Sequence, residues 1–211
     1  MPILPAHRTA EIVLMLLHGR IVAIPTDTVY GLAAKLDDEP AVRALAAMKG
    51  RDFDQPIAVL IARPDAVTQY LVRPQALDAV ARHWPGALTA VVEALPNAAL
   101  PPQVLSRVDD GDGDALSTIG VRLPDDPLAI EVIRSCGGAL AVTSANMHGA
   151  PPATSAAEVA KIFGPDLPVL DGGERSGQTA STVVDLTSEP PRILREGPVS
   201  AADLGLDGSA S

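Results

Sequence analysis

Short apolar runs that stop at proline, glycine or a polar cluster recur along this chain, and helical periodicity fills the intervals between them. Ile21 to Ile24 is cut off by Pro25, and Ile57 to Ile61, Leu88 to Val92, Thr118 to Leu123 and Ala139 to Thr143 follow at intervals. Runs of four to six residues are too short for helices and suit buried strands. Val183 to Leu186 and Arg192 to Arg195 extend the series as late strands. Between them, Ala6 to His18 places Ile12, Met15 and Leu16 on one helical side. Glu39 to Met48 predicts a helix stopped by Gly50 as a C-terminal cap. Pro74 to His83, Pro127 to Ser135 and Ser155 to Phe163 predict three more, the last capped by Thr154 or Ser155. This alternation, without internal repeats, predicts an α/β fold: one compact domain over residues 1–199, a twisted mixed β-sheet flanked by helices. Residues 200–211 carry little apolar material and are expected to fray as a tail.

Composition narrows the function. With 211 residues and 47% hydrophobic content, the chain buries a core without staples. Its single cysteine, Cys136, allows no internal disulfide and suits a reducing cytoplasm. Met1 to Leu17 holds a proline and an interrupting Glu11, so no signal peptide is expected, and no run reaches membrane-spanning length. The net charge of −10 and 2% aromatic content argue against a protein that coats nucleic acid. An anionic ligand must then be held by a local cluster of cations.

Common catalytic templates are missing. There is no Walker-type phosphate loop and no zinc helix, and His7, His18, His83 and His148 show no ligand spacing, so no protein-bound metal is expected. Asp109 to Asp114 is a solvated acidic loop, not a dinucleotide loop, and Ser144 lacks a nucleophile elbow. What remains is a set of small polar and cationic residues at the ends of predicted elements. These are Pro25-Thr-Asp-Thr-Val-Tyr-Gly31, Lys49-Gly-Arg51, Thr118-Ile-Gly-Val-Arg-Leu-Pro124, Thr143-Ser-Ala-Asn146, Ser181-Thr-Val-Val-Asp185 and Leu194-Arg-Glu-Gly197. Taken singly, Thr26 and Thr28 are ordinary turn residues, Lys49 a solvated helix end, Arg122 a surface ion pair and Asn146 a turn. Taken together, hydroxyls, an amide and cations at loop starts are what a polyphosphate pocket requires.

In their order, these segments resemble the threonylcarbamoyl-AMP synthase family of the YrdC type. Pro25 to Leu32 matches its P-T-[ED]-T-V-Y-G-L, Lys49 to Pro56 its K-x-R segment, and Trp84 to Thr89 its W-P-G-x-L-T. Thr118 to Pro124, Ser144 to Asn146, Ser181 to Asp185 and Arg195 to Gly197 complete the pattern across roughly residues 10 to 200. The chain departs from it at Asp52, where proline is usual, at Gln55, where Lys or Asn is common, and at His148. The match is to the short, single-domain form.

The resemblance implies residue roles. Thr28, Arg122 and Ser181 would hold L-threonine, Arg122 facing its carboxylate, while Leu60 and Val142 line the pocket for its side chain. Lys49, Arg51, Gln55, Thr118, Ser144, Asn146 and Arg195 would surround ATP, with Lys49 and Arg51 serving catalysis. It also implies a nucleotidyltransferase that joins L-threonine, bicarbonate and ATP, with Mg²⁺ brought by the nucleotide. The product would serve tRNA modification through transferase proteins, with weak direct RNA contact. Two other readings share the fold: a carbamoyl-adenylate-forming domain of the hydrogenase-maturation kind, and a nucleic-acid-binding module of the YciO kind.

Overall fold

The computed structural model describes residues 3–49, 56–109, 115–176 and 179–206. Its strands are β1 (Ile3–Pro5), β2 (Val22–Ile24), β3 (Gly31–Lys35), β4 (Ala58–Ile61), β5 (Leu88–Glu93), β6 (Leu105–Asp109), β7 (Ala115–Arg122), β8 (Ala139–Ser144), β9 (Val169–Asp171), β10 (Thr182–Asp185) and β11 (Arg192–Arg195). The α-helices are α1 (Thr9–Leu17), α2 (Glu39–Met48), α3 (Pro127–Ser135), α4 (Ala156–Phe163) and α5 (Ala201–Leu204). The strands join one sheet in the order β1-β9-β2-β3-β8-β4-β7-β5-β10-β11, with β6 paired to β7 beside this path. The sheet is mixed: β4–β7 and β5–β10 are parallel, while β3–β8, β4–β8 and β5–β7 are antiparallel.

Side chains alternate between faces along a strand, and that alternation separates two apolar clusters. Val59, Ala90, Ile119, Val121 and Ala141 point to one face, where Val42 and Leu45 of α2 and Val159 of α4 cover them. Leu60, Leu140, Val142 and Ala33 point to the other, toward Ile12 and Leu16 of α1 and Val132 and Ile133 of α3. These two helices lie over β9, β2, β3, β8 and β4. On the same face, β7, β5 and β10 are left for the site.

The helix starts are set by short polar side chains. Asp38 accepts from Ala41 N at 3.0 Å, Asp126 from Ala129 N at 2.8 Å and Ser155 from Glu158 N at 3.2 Å. Each cap is worth about 1 kcal/mol, and α2 and α3 also carry proline in the first turn, where its missing N–H costs nothing.

Two expectations change. Pro74 to His83 forms not an α-helix but 3₁₀ turns, Pro74–Ala79 and Ala81–His83. Leu77 and Val80, three apart, are its buried residues, and a three-residue period favours the 3₁₀ turn. The frayed tail is corrected over residues 200–206. Ser200 and Asp203 cap α5 reciprocally, and Leu204 and Leu206 pack on the core, so two leucines and a capping box order a segment poor in apolar residues. Residues 207–211 lie outside the described residues. No helix among the described residues is long and apolar enough to cross a membrane.

Candidate active site

The polar turn after β2 folds back on itself. Thr26 Oγ1 donates to Val29 O at 2.6 Å and accepts from the backbone N–H of Thr28 and of Val29, each at 3.3 Å. This turn, rather than an extended strand, brings Thr26 Oγ1 within 3.1 Å of Thr28 Oγ1. Arg122, at the end of β7, reaches the same turn. It donates from Nε to Gly86 O at 3.0 Å, from Nη1 to Thr28 Oγ1 at 3.0 Å and from Nη2 to Asp27 Oδ1 at 2.7 Å. At 6% exposure it is no surface ion pair. Burial lowers its pKa and the Asp27 charge works against that; a guanidinium stays a cation in proteins. Of the five N–H donors of a guanidinium, these contacts use three, leaving one on each terminal nitrogen, the number a carboxylate takes in a bidentate pair.

The W-P-G-x-L-T segment has a physical reading here. Trp84 Nε1 donates to Leu88 O at 2.7 Å, fixing the entry to β5. Gly86 supplies the carbonyl that holds Arg122, and a Cβ there would lie 2.7 Å from His83 O. Thr89 Oγ1 lies 2.8 Å from Ser181 Oγ. Arg195 on β11 then locks Ser181, donating to its carbonyl at 2.8 and 3.0 Å and to Oγ at 3.2 Å. Gly197 completes this corner, because a Cβ there would fall 2.3 Å from Thr182 N. The expected threonine residue Ser181 and the expected ATP residue Arg195 are thus in direct contact.

Lys49 is not a solvated helix end. It is 1% exposed, and its Nζ donates to Ser144 O at 2.6 Å and to Asn146 O and Oδ1, each at 2.5 Å. Ser144 Oγ donates to Asn146 Oδ1 at 2.6 Å, and Asn146 Nδ2 to Ala150 O at 2.6 Å. The lysine therefore braces the S-A-N turn from beneath. Arg51 and Gln55 lie outside the described residues.

A cavity of about 390 Å³ opens on this face of the sheet. Thr28, Leu60, Thr118, Arg122, Val142, Ser144, Ser181 and Arg195 line it, eight of the residues expected from the sequence. Thr118 is fully buried, and its hydroxyl has no hydrogen-bond partner among the described residues. The sequence reading missed Asp27, Gly86, Thr89 and Ser106. Asp27 and Thr89 stood inside quoted motifs, but their partners, Arg122 and Ser181, are 95 and 92 residues away. Behind the turn, Arg175 pairs with Asp126 at 2.8 Å, and Tyr30 Oη donates to Gly173 O at 2.9 Å while accepting from Gly172 N at 3.0 Å. Among the described residues there is no group of three or more His, Cys, Asp or Glu placed to hold a metal ion.

Comparison with known proteins gives the family of the chain. The family model Sua5_yciO_yrdC, described as telomere recombination, matches residues 14–197. A Mycobacterium tuberculosis relative is 39% identical over 199 residues, covering 91% of this chain and 87% of its own. The threonylcarbamoyl-AMP synthase of Klebsiella pneumoniae is 32% identical over 199 residues, covering 92% of this chain and 98% of its own. Among solved structures, Pyrococcus abyssi Sua5 complexed with L-threonine superposes with a TM-score of 0.84 at 31% identity, over 99% of this chain and 61% of that one. This chain thus spans about three fifths of the archaeal protein's length. By sequence and by fold, the chain belongs to the Sua5/YciO/YrdC family.

Proposed function

We propose that this chain is an L-threonylcarbamoyladenylate synthase, a nucleotidyltransferase that makes threonylcarbamoyl-AMP and pyrophosphate from L-threonine, bicarbonate and ATP. The observation that carries this reading is the buried Arg122 fork, which shares one cavity with the Ser144 turn braced by Lys49. One end suits an amino-acid carboxylate, the other a polyphosphate. A relative of full length carries the synthase name, and a superposable structure was solved with L-threonine.

Arg122 takes the threonine carboxylate, with Thr28 and Ser181 beside it, and Leu60 and Val142 receive the side chain. Ser144, Asn146, Thr118 and Arg195, together with Arg51 and Gln55, receive ATP, which brings Mg²⁺ as its own counter-ion, while Lys49 holds the Ser144 to Asn146 turn in place. The deprotonated amine attacks the carbon of bicarbonate. A C–N bond forms, a C–O bond breaks and water leaves, giving an N-carboxylate. One of its oxygens then attacks the α-phosphorus, the bond to the bridging oxygen breaks, and pyrophosphate departs with the electron pair. The protein aligns these reactants and stabilises charge on the transferring group.

The product is handed to threonylcarbamoyl-transferase proteins that act on tRNA, in the cytoplasm. Direct RNA binding is weak, as the −10 charge implies. Mass spectrometry of the product formed from ATP, threonine and carbon-labelled bicarbonate tests the reading. A labelled threonylcarbamoyl-AMP is expected. An adenylate that forms without threonine, or none at all, overturns it.

A further inference from the structure

Glycine inside a strand weakens it and calls for a local reason. Gly31, at the start of β3, has one in packing: a Cβ would lie 2.6 Å from Val142 Cγ1. Gly120, in the middle of β7, has neither a left-handed backbone nor such crowding. A Cβ built there meets Thr89 Cγ2 at 3.3 Å and nothing else within 4 Å. What lies over Gly120 is the cavity, whose wall it forms.

The strand register places Gly120 between two chemically different rows. Leu60 of β4 pairs with Arg122, and Ala90 pairs with Val121, so Thr89 stands level with Arg122. This is the amino-acid row. Two residues back along β7, Gly120 pairs with Val91, and Ala58 follows at the same level on β4, opposite Val142. Two residues further, Thr118 pairs with Ser106 of β6, and Ser144 lies at the corresponding level of β8. That row carries hydroxyls, including the buried and unpartnered Thr118 Oγ1. Successive rows are roughly 6.6 Å apart along the strand. The amino-acid row and the hydroxyl row are thus separated by a row in which Gly120 and Ala58 stand between the cavity-lining Val91 and Val142.

Resting on the synthase reading, we propose that Gly120 is the specificity-determining floor of a slot for the one-carbon acid unit, where bicarbonate joins the threonine amine. The slot lies between an amino acid anchored at Arg122 and a nucleotide anchored in the Thr118, Ser106 and Ser144 row. Gly120 with Ala58 leaves room for a carboxylate-sized group there, and a methyl added at Gly120 or a larger side chain at Ala58 takes that room away. Threonine alone and ATP alone do not need the slot. The ternary reaction does.

The test is Gly120→Ala, with threonine binding, ATP binding and product formation measured separately. Affinity for each ligand alone should stay within about threefold of wild type, while product formation falls on the order of a hundredfold with a raised apparent KM for bicarbonate. Adding Thr89→Ser removes the one contact the new methyl makes, so a loss that persists in the double variant belongs to the slot and not to a displaced Thr89. Should Gly120→Ala fail to fold, Ala58→Val fills the same row from β4 and must give the same separation. Near wild-type turnover, or threonine affinity that falls in step with turnover, overturns the slot. Wild-type protein that makes no threonylcarbamoyl-AMP overturns the synthase reading instead.

Discussion

Arg122 and Lys49 are both buried cations of one site, and they are held in opposite ways. Arg122 stands at the end of a central strand and is fixed from behind by a carbonyl, a hydroxyl and the Asp27 carboxylate. Its charge is balanced inside the protein, and in the proposed function its remaining donors take a substrate carboxylate. Lys49 follows α2 and holds the backbone and side-chain oxygens of the loop after β8. In the proposed function its contribution reaches the nucleotide through the shape of Ser144 and Asn146. The proposed amino-acid end is therefore built on strands and the proposed nucleotide end on a loop with an internal strut, so substitutions at the two ends should separate affinity from stability.

The largest effect is expected for Lys49→Met. Each carbonyl or amide oxygen left buried without a partner costs about 1–3 kcal/mol, so the loop should lose several kcal/mol of support. At about 2–4 °C per kcal/mol for a chain of this size, the melting temperature should drop by roughly 10 °C or more. Adenylate formation should collapse with it. A variant that melts like wild type but loses ATP affinity would make Lys49 a direct phosphate ligand and break the contrast with Arg122.

Arg51→Ala sharpens the same contrast. A cation aimed at charge developing on the transferring phosphate is worth several kcal/mol, or on the order of a hundredfold in rate. A cation that only neutralises Asp52 and Asp54 is worth about 0–1 kcal/mol. Turnover should fall about a hundredfold with no change in melting temperature, and Arg51→Lys should recover part of it, lacking the planar fork. A folded Arg51→Ala with near wild-type turnover would remove Arg51 from the site.

Arg122→Lys probes the other end. It keeps the charge facing Asp27, but three ammonium donors cannot serve Asp27, Gly86, Thr28 and both oxygens of a carboxylate at once. Charge-assisted hydrogen bonds contribute about 1.5–3 kcal/mol each, so kcat/KM for threonine should fall roughly 10- to 100-fold while the KM for ATP holds. Equal losses for both substrates would show that the two ends are not independent.

Much of this was legible in the sequence, for reasons that differ by element. α2 and α3 were readable to the residue because proline in the first turn and Asp38 or Asp126 at the cap mark their starts. β3 was missed: Gly31-Leu-Ala-Ala-Lys35 has little strand propensity, and its small residues answer to Val142 crossing from β8. At the site, Thr28, Arg122, Ser144 and Ser181 were found as motif members, but who touches whom was not. The register of β5 against β10 sets Thr89 beside Ser181, and the turn after β2 sets Asp27 beside Arg122, both long-range properties. The burial of Lys49 was equally invisible, since a lysine after a helix is usually solvated.

The smallest effect concerns the threonine methyl. Leu60 and Val142 are each 4% exposed and belong to the apolar cluster under α1 and α3, while their side chains also reach the cavity wall. Leu60 presents a fixed apolar surface beside Arg122, and Val142 one a row further along, opposite Ala58. One methyl group in such a pocket is worth about 1–3 kcal/mol, so threonine should exceed serine in kcat/KM by roughly tenfold or somewhat more. Leu60→Ala should erode that preference by enlarging the pocket, and it should cost stability as well, about 2–5 kcal/mol for a buried leucine. Serine turnover should change less than threonine turnover, and the KM for ATP should not move, because Ser144 and Thr118 lie two rows away. Competition between the two amino acids at fixed ATP and bicarbonate measures this directly. Equal kcat/KM for serine and threonine in the wild type would take Leu60 and Val142 out of the amino-acid pocket, and with them the strand-built end of the comparison.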